Sequence, residues 1–346
     1  MQSRFLKYLF LAVVLCGSAN IADAQKKKST KKTTKTKTKA NIQASVPSAD
    51  TTAAVAVEPP PAAAAANDSL PLKPIKVSLR PDEAVETSVL RDRTPLTYEH
   101  LRADDAVYRH RIWREIDSRE KMNLPFMYAA DADNGNQRFI YILMQALQDS
   151  TKNITAFANI DDRFTTPLTK SEMVKAIVGE PIDVPIQDSN GVIIGSKKMF
   201  NDINPDSFYR FHIKEEVIFD KESSRLFWRI LGIAPVKDVI TSAGVNLGPS
   251  ELFWIYYPDM RPIFANYEVY NQKNFGGRMS WEDLFESRMF SGRIIKSSMD
   301  NPRDLKIENF PGMNDKENST HLKLRLLEGE NITEKIFTYE QDLWSY

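Results

Sequence analysis

The sequence predicts an α+β fold, in which an antiparallel sheet of hairpins is flanked by N-terminal and C-terminal helices and preceded by a disordered basic and Ala/Pro-rich tail. Hydrophobic residues recur with the period of a helix between residues 104 and 178, and again after residue 280. Between residues 209 and 270 they alternate with polar residues, which is the period of a strand. The tail has too few apolar side chains to build a core.

The N-terminus has the form of a secretory signal peptide, residues 1–24. A short basic stretch precedes an apolar run that is too brief to span a bilayer as a stable helix. Ala22 and Ala24 are small residues at the two positions that a signal peptidase reads, so we expect cleavage before Gln25. The sequence therefore predicts export.

The use of cysteine limits what can stabilise the exported chain. Cys16 is the only cysteine and would be removed with the signal peptide. Leu15 precedes it at the position where a lipoprotein signal needs a small residue, which disfavours a lipid anchor. Without thiols the exported chain can form neither disulfides nor thiolate metal sites, so hydrophobic burial must hold it together.

The charges are unevenly distributed, although the 46 basic and 46 acidic residues balance. Residues 26–39 contain eight lysines and no acid, and they belong to a predicted disordered linker over 25–69. Residues 70–346 hold 36 basic and 42 acidic side chains, a net charge of −6. Four prolines within 70–97 exclude long helices and predict an extended arm, which leads into a folded domain over 98–346.

Three helices are predicted ahead of the strands. The first spans about 105–122 behind an aspartate cap. The second spans about 137–148 and has almost no polar face, so it should lie centrally in the core. The third opens with a capping box between Thr169 and Glu172. The apolar side of the first helix would carry Ala106, Ile112, Trp113 and Ile116.

Two hairpins are predicted in the middle of the chain. Residues 209–219 alternate strictly enough to predict a strand with His212 on its polar, solvent-facing side, paired with a second strand over 226–233. Residues 252–257 and 263–270 would form another hairpin around a Pro-Asp turn.

The C-terminal part is predicted to return to helix. Ser280 would cap a helix with Trp281, Leu284, Phe285 and Met289 on its apolar face. A last amphipathic segment at 322–327 leads to the aromatic C-terminus.

No pattern of a catalytic, cofactor or metal site stands out. The chain has no nucleophile elbow, no histidine pair with zinc-ligand spacing and no phosphate loop. Acidic pairs such as Glu215 and Glu216 could serve a glycosidase, but nearby basic residues indicate salt bridges instead. We therefore expect no enzymatic activity, no cofactor and no metal. The lysine tract lacks aromatic residues on which bases could stack, so a nucleic-acid partner is not expected.

Aromatic residues and arginine are concentrated in two short segments, 111–123 and 250–264. These residue types dominate the hot spots of protein–protein interfaces, although most of them should also fill the core. The candidate interface residues are Arg111, Trp113, Arg114, Trp254, Tyr256, Tyr257 and Arg261.

Five segments, in order, resemble the GldN/PorN family of gliding-motility and type IX secretion subunits. They are WREIDSREKMN (113–123), DSFYRFHIKEEVIFDKESSRLFWRILGIAP (206–235), ELFWIYYPDMRPIFANYEVYNQKN (251–274), WEDLFESRMFSGRI (281–294) and EQDLW (340–344). The resemblance runs from Trp113 to the C-terminus and excludes the lysine tract and the Ala/Pro-rich linker.

The resemblance implies a periplasmic, non-enzymatic role at the inner face of the outer membrane. Family members join an outer-membrane lipoprotein (PorK/GldK) in a large ring and contact the periplasmic part of an inner-membrane motor protein (PorM/GldM). It implies that this chain supports protein secretion and, in gliding species, motility. A ring needs self-propagating contacts between copies, and the arm could supply part of them by lying on a neighbour.

Two other functions remain open from the residues alone. The chain could be a free-standing module that binds cell wall or lipid through the lysines of 26–39. It could also be a periplasmic glycan hydrolase that uses Glu215 and Glu216.

Overall fold

A computed structural model gives the structure for most of the chain beyond residue 92. The described residues are 69–72, 79–80, 93–129, 131–132, 135–160, 162–180, 182–187, 193–200, 202–240, 246–271, 277–315 and 318–344. The predicted signal peptide, with Ala22, Ala24 and Gln25, and nearly all of the predicted linker lie outside them.

The described chain contains both strands and helices. The strands are β1 (Ala106–Asp117), β2 (Asp131–Ala132), β3 (Gly135–Asn136), β4 (Ala156–Ala158), β5 (Ile182–Gln187), β6 (Ile193–Met199), β7 (Arg210–Asp220), β8 (Arg225–Ile240), β9 (Asn246–Glu251), β10 (Phe253–Tyr256) and β11 (Arg293–Ser297). The helices are α1 (Phe139–Gln148), α2 (Lys170–Val178), α3 (Tyr257–Phe264), α4 (Trp281–Glu286) and α5 (Ser319–Trp344).

The main sheet is antiparallel and has the strand order β11-β1-β7-β8-β10-β4, with β9 paired to β8 beside β10. β2 and β3 form one separate ribbon, and β5 and β6 form another. The mixture of helices with an antiparallel sheet confirms the predicted α+β class.

The predicted first helix is wrong, because Ala106–Asp117 is the strand β1. It lies between β11 and β7, where Ile112 pairs with Glu215 and Ile116 with Phe211. Neighbouring side chains of a strand point to opposite faces, yet both Ile112 and Trp113 are buried. A strand that is covered on both faces loses its alternating pattern, so its apolar residues fitted a helix equally well.

The predicted second hairpin is also wrong. Its first strand exists as β10, but the chain then turns into α3. Pro258 occupies the first turn of α3 and Asp259 lies near its N-terminus, where both residue types favour a helix start as well as a turn.

Two smaller differences from the prediction lie in the C-terminal part of the chain. Met289, predicted on the buried face of α4, follows the helix and is 48% exposed, and α5 is much longer than the predicted segment.

Other local predictions are confirmed. α1 buries seven apolar side chains, and α2 and α4 begin with complete capping boxes, Thr169 with Glu172 and Ser280 with Asp283. β7 and β8 form the predicted hairpin. These elements have strong local signals within ten or so residues, which is why the sequence reveals them.

The sheet is covered on both faces. On one face, Phe211 and Ile213 pack into a core with α1, α3 and α4, and α5 packs with Ile336 near Val217. On the other face, Trp113 and Trp254 form a smaller cluster with Ala234. His212 was predicted on a polar, solvent-facing side of β7, but His212 and its neighbour Lys214 on the same face are each only 3% exposed. These two side chains of β7 are therefore inside the molecule.

Candidate functional site

A cleft of about 560 Å³ opens between β11 and the first turns of α5. Its lining combines buried charges of the central strands, such as Glu115 and His212, with apolar side chains such as Ile294, Leu322 and Leu326. The cleft is the site where a ligand or a partner segment would have both polar and apolar contacts.

His212 is the central group beneath the cleft. Its Nδ1 lies 2.8 Å from an oxygen of Glu251, and its Nε2 lies 3.1 Å from an oxygen of Glu115. Glu115 also accepts a hydrogen bond from Arg293, and Glu251 accepts one from Lys306 at 2.8 Å. Ionised carboxylates can only accept, so both ring nitrogens of His212 must donate, which requires the imidazolium form.

The pKa values of this cluster reflect the pairing. Burial alone would lower the pKa of His212, but its hydrogen bonds to Glu115 and Glu251 outweigh burial and leave the pKa raised. Burial would raise the pKa of the Glu115 and Glu251 carboxyl groups. Hydrogen bonds and positive charge from His212, together with Arg293 at Glu115 and Lys306 at Glu251, outweigh burial and leave both pKa values lowered. The cluster thus stays ionised, and each charge already has a partner.

This arrangement has little capacity for chemistry. A general base or a metal ligand needs a free nitrogen lone pair, and both nitrogens of His212 are engaged. Within the described residues, no group of three histidine, cysteine, aspartate or glutamate side chains is placed to hold a metal ion. We assign the cluster a structural role beneath the cleft.

Glu215 and Glu216 do not share a site. They are consecutive residues of β7 and point to opposite faces of the sheet. Glu215 is fully buried and accepts from Arg114 Nε at 2.9 Å and from Arg288 Nη1 at 2.8 Å. Glu216 instead accepts from Arg109 Nε at 2.6 Å. Two carboxylates on opposite faces cannot flank one glycosidic bond, which counts against the glycosidase hypothesis.

Most of the candidate interface residues lie inside the fold. Trp113 lies between two ammonium groups, with Lys296 Nζ at 4.2 Å and Lys214 Nζ at 5.5 Å from its ring centroid. Trp254 is 3% exposed beside it. Arg114 belongs to the Glu215 cluster, Tyr257 and Arg261 are buried, Tyr256 is half-buried and Arg111 is exposed. The side chains of the other five have contacts within the chain, and a partner contact through any of the seven stays a prediction.

The described part of the predicted arm contacts its own domain. Arg93 Nη1 lies 2.7 Å from an oxygen of Asp283, and the Leu96 amide donates to Glu282 at 2.9 Å. Arg261 binds the Leu96 carbonyl and lies with its Cζ 3.6 Å from the centroid of the Tyr98 ring. Further upstream, Leu70 is buried in the main core. The structure therefore places these residues in contacts within one chain, where the sequence suggested a neighbour.

Two apolar surfaces are exposed, one in a strand that was not predicted and one in the predicted amphipathic segment 322–327. The first, the hairpin face, consists of Ile182, Val184 and Ile186, every second residue of β5, which are 52%, 41% and 49% exposed. The second, the leucine surface, lies on the first turns of α5. It consists of Leu322, Leu324, Leu326 and Leu327, which are 45%, 37%, 51% and 51% exposed. The alternation over 182–186 was the available signal for the first surface.

Comparison with known proteins identifies one family. The sequence model of the family described as "Gliding motility associated protein GldN" matches residues 101–345. No curated protein matches the chain. Among the described residues, no helix combines the length and the apolar character that crossing a bilayer requires.

Proposed function

The chain belongs to the GldN family of gliding-motility associated proteins, and we propose that it is a non-enzymatic structural subunit of the type IX secretion system. In this proposal it acts in the periplasm at the inner face of the outer membrane. It assembles into a ring with an outer-membrane lipoprotein of the PorK/GldK type and contacts the inner-membrane motor protein of the PorM/GldM type. The family match over residues 101–345 is the observation that carries the proposal.

The pairing of the buried charges supports a structural role. Three buried charges, those of His212, Glu115 and Glu215, each have an oppositely charged partner within 3.1 Å or in a direct hydrogen bond. These charges therefore stabilise the fold. Buried pairs of this kind favour one rigid arrangement over alternatives, in keeping with a subunit that must repeat at a fixed angle. The exposed apolar surfaces support a function through contacts with other proteins.

Deletion of the gene followed by complementation tests the proposal. We expect secretion of a reporter with a C-terminal sorting domain to stop, and gliding to stop in a gliding host. The tagged full chain should co-purify from detergent-solubilised envelopes with the lipoprotein, in large ring-shaped particles under negative stain. Unchanged secretion in the deletion strain, or a chain that is recovered alone as a monomer, would overturn the proposal.

Two variants separate the alternatives within the same complementation assay. A chain without residues 26–39 should still complement, whereas failure would favour a wall- or lipid-binding module. Glu216→Gln should also complement, whereas loss of function in a folded Glu216→Gln protein would favour the hydrolase. Glu215→Gln is unsuitable for this purpose because Glu215 holds two arginines in the interior.

A further inference from the structure

We infer that the leucine surface at the start of α5 inserts into the interfacial region of a phospholipid bilayer, with the basic side chains beside it at the lipid phosphates. The inference goes beyond the proposed function, in which a lipoprotein partner supplies the attachment to the membrane. It also differs from lipid binding through residues 26–39, because it places the contact on the folded domain.

The start of α5 projects from the body of the domain. Of residues 319–327, seven are exposed and two, His321 and Arg325, are half-buried. These residues make about two and a half turns of helix, so exposure at nearly every position means that solvent surrounds the helix on several sides. The later turns are packed, since Ile332 and Ile336 are buried in the domain. The first turns therefore form a protruding tip on an anchored helix.

The leucines surround this tip and do not form a single stripe. At about 100° per residue, Leu322 and Leu326 lie on one side of the helix, and Leu324 lies about 160° from each of them. Exposed apolar surface marks a protein or a membrane contact, and a helix that binds a protein groove presents its anchors along one side. Apolar side chains on opposite sides of a tip all leave water together when the tip enters a bilayer interface. The spread of the leucines therefore favours lipid.

The charge of the tip fits phospholipid headgroups. Residues 318–327 hold Lys323 and Arg325 and no acid, and the nearest acids in the sequence are Glu317 and Glu328. Lys323 is exposed between the leucines. In an apolar protein contact its ammonium group would lose its hydration without gaining a partner. At a bilayer surface the long stem of the lysine follows the apolar surface while the ammonium group reaches a phosphate.

Arg325 is a second and independent polar feature of the tip. Its Nε donates to the Met313 carbonyl at 2.6 Å, and the side chain lines the cleft beside Leu322 and Leu326. Its buried Nη2 has no acceptor among the residues that the structure describes. A buried N–H group without an acceptor costs free energy, and a guanidinium binds phosphate oxygens strongly. A headgroup phosphate at the mouth of the cleft would supply the acceptor.

Acidic residues limit how deeply the tip can enter. Glu328, Glu330 and Glu334 follow in the next turns of α5, and Glu308 lines the cleft. Carboxylates are excluded from hydrocarbon, so insertion should end near residue 327. The helix rises about 12 Å over residues 319–327, close to the interfacial depth of about 5–10 Å that peripheral helices reach. The tip would thus rest in one leaflet and not cross the bilayer.

Site-specific fluorescence on vesicles tests the contact. In a Cys16→Ser background of the full chain, Thr320→Cys places an environment-sensitive dye on the tip and leaves the four leucines intact. The matched control, Phe337→Cys, changes a 60% exposed side chain of the same helix, about 15 Å beyond residue 327. The vesicles contain phosphatidylcholine, alone or mixed with phosphatidylglycerol, and some carry a quencher on the acyl chains.

The dye at residue 320 should shift to the blue and be quenched by the acyl-chain quencher, whereas the dye at residue 337 should show neither effect. Residues 1–39 are the same in both proteins, so a membrane contact through them does not distinguish the two dyes. Absence of quenching at residue 320 on both kinds of vesicle overturns the inference. Equal quenching at the two positions also overturns it.

Two variants of the Thr320→Cys protein test the chemistry of the tip. Leu324→Asp should weaken insertion at least about tenfold on both kinds of vesicle by removing apolar surface. Lys323→Glu should weaken insertion roughly tenfold on vesicles with phosphatidylglycerol, and by less on phosphatidylcholine alone. Both side chains are exposed, so circular dichroism and melting temperature should not change. Unchanged insertion by Leu324→Asp overturns the inference, as does shielding of residue 320 only when a protein partner is added.

The vesicle result is separable from the proposed function. If the deletion strain secretes normally, the proposed function fails, and the dye at residue 320 still reports whether the tip enters lipid. If secretion requires the gene but residue 320 stays unquenched, the lipid contact fails and the proposed function stands.

Discussion

Replacing Glu215 by glutamine removes one charge from the interior and leaves its shape almost unchanged. The carboxylate is fully buried and is bound by Arg114, whose side chain is 12% exposed, and by Arg288, whose side chain is 29% exposed. Arg288 also lies with its Cζ 4.3 Å from the centroid of the Trp228 ring. Glutamine would keep one acceptor oxygen and turn an amide N–H₂ toward a guanidinium.

The size of the effect follows from the burial of each partner. Breaking a buried ion pair typically costs about 3–5 kcal/mol because one charge is left uncompensated. Glutamine retains one hydrogen bond and Arg288 can reach water, so we expect a loss of about 2–4 kcal/mol in the free energy of unfolding. At about 2–4 °C per kcal/mol for a domain of this size, the melting temperature should fall by roughly 4–16 °C.

The neighbouring glutamate is a matched control. The Glu216 side chain is itself 9% exposed, but its partners Arg109 and Arg111 are 56% and 47% exposed and can be hydrated when the carboxylate charge is removed. Glu216→Gln should therefore cost about 1 kcal/mol in the free energy of unfolding, less than Glu215→Gln. Both variants would be measured by urea unfolding and differential scanning calorimetry on the full chain. Equal effects of the two substitutions, or no effect of Glu215→Gln, would refute the assignment of Glu215 as a buried structural charge.

Three further predictions concern other parts of the fold. The pKa of His212 is raised in the folded state, so protonation of His212 stabilises the fold. This stabilisation is complete below about pH 6.5 and is lost as the pH rises through the pKa of the folded state. In urea melts over a series of pH values, the free energy of unfolding of His212→Gln should not show this loss. Gly329→Val should lower the free energy of unfolding by about 1–3 kcal/mol in the same melts, because a Cβ at Gly329 already lies 3.2 Å from the Ile294 carbonyl oxygen. Tyr98→Phe should lower the free energy of unfolding by about 1 kcal/mol, because it removes the hydrogen bond that the Tyr98 hydroxyl donates to Glu286. A calorimetric melt indistinguishable from that of the wild type would contradict the packing of the segment around Tyr98 on α4.

The elements predicted correctly are those whose signals are local. The capping box at Thr169 and the uninterrupted apolar run of α1 each lie within about ten residues, and β7 is joined to β8 by a short loop. β1 was misassigned because its strand identity depends on β11, whose partner residues lie more than 170 positions away. Pattern reasoning cannot detect a strand whose two faces are covered by distant segments.

The site was harder to predict than the fold for the same reason. His212 reads as a surface histidine on an alternating strand, yet its partners Glu115 and Glu251 are 97 and 39 residues away. The interface hypothesis at Trp113 relied on composition, which does not distinguish a core from a hot spot. Only the structure shows that two lysines cover this ring.

The burial of these charged and aromatic side chains changes where a partner can bind. A ring needs the same angle between every pair of neighbours, and an angular error at each contact would prevent closure. Ion pairs that connect β1, β7 and β11, such as Arg293 with Glu115, and a ring such as Trp113 held between strands resist distortion of the sheet. In the proposed ring, contacts between subunits would therefore come from elements that the sheet leaves exposed.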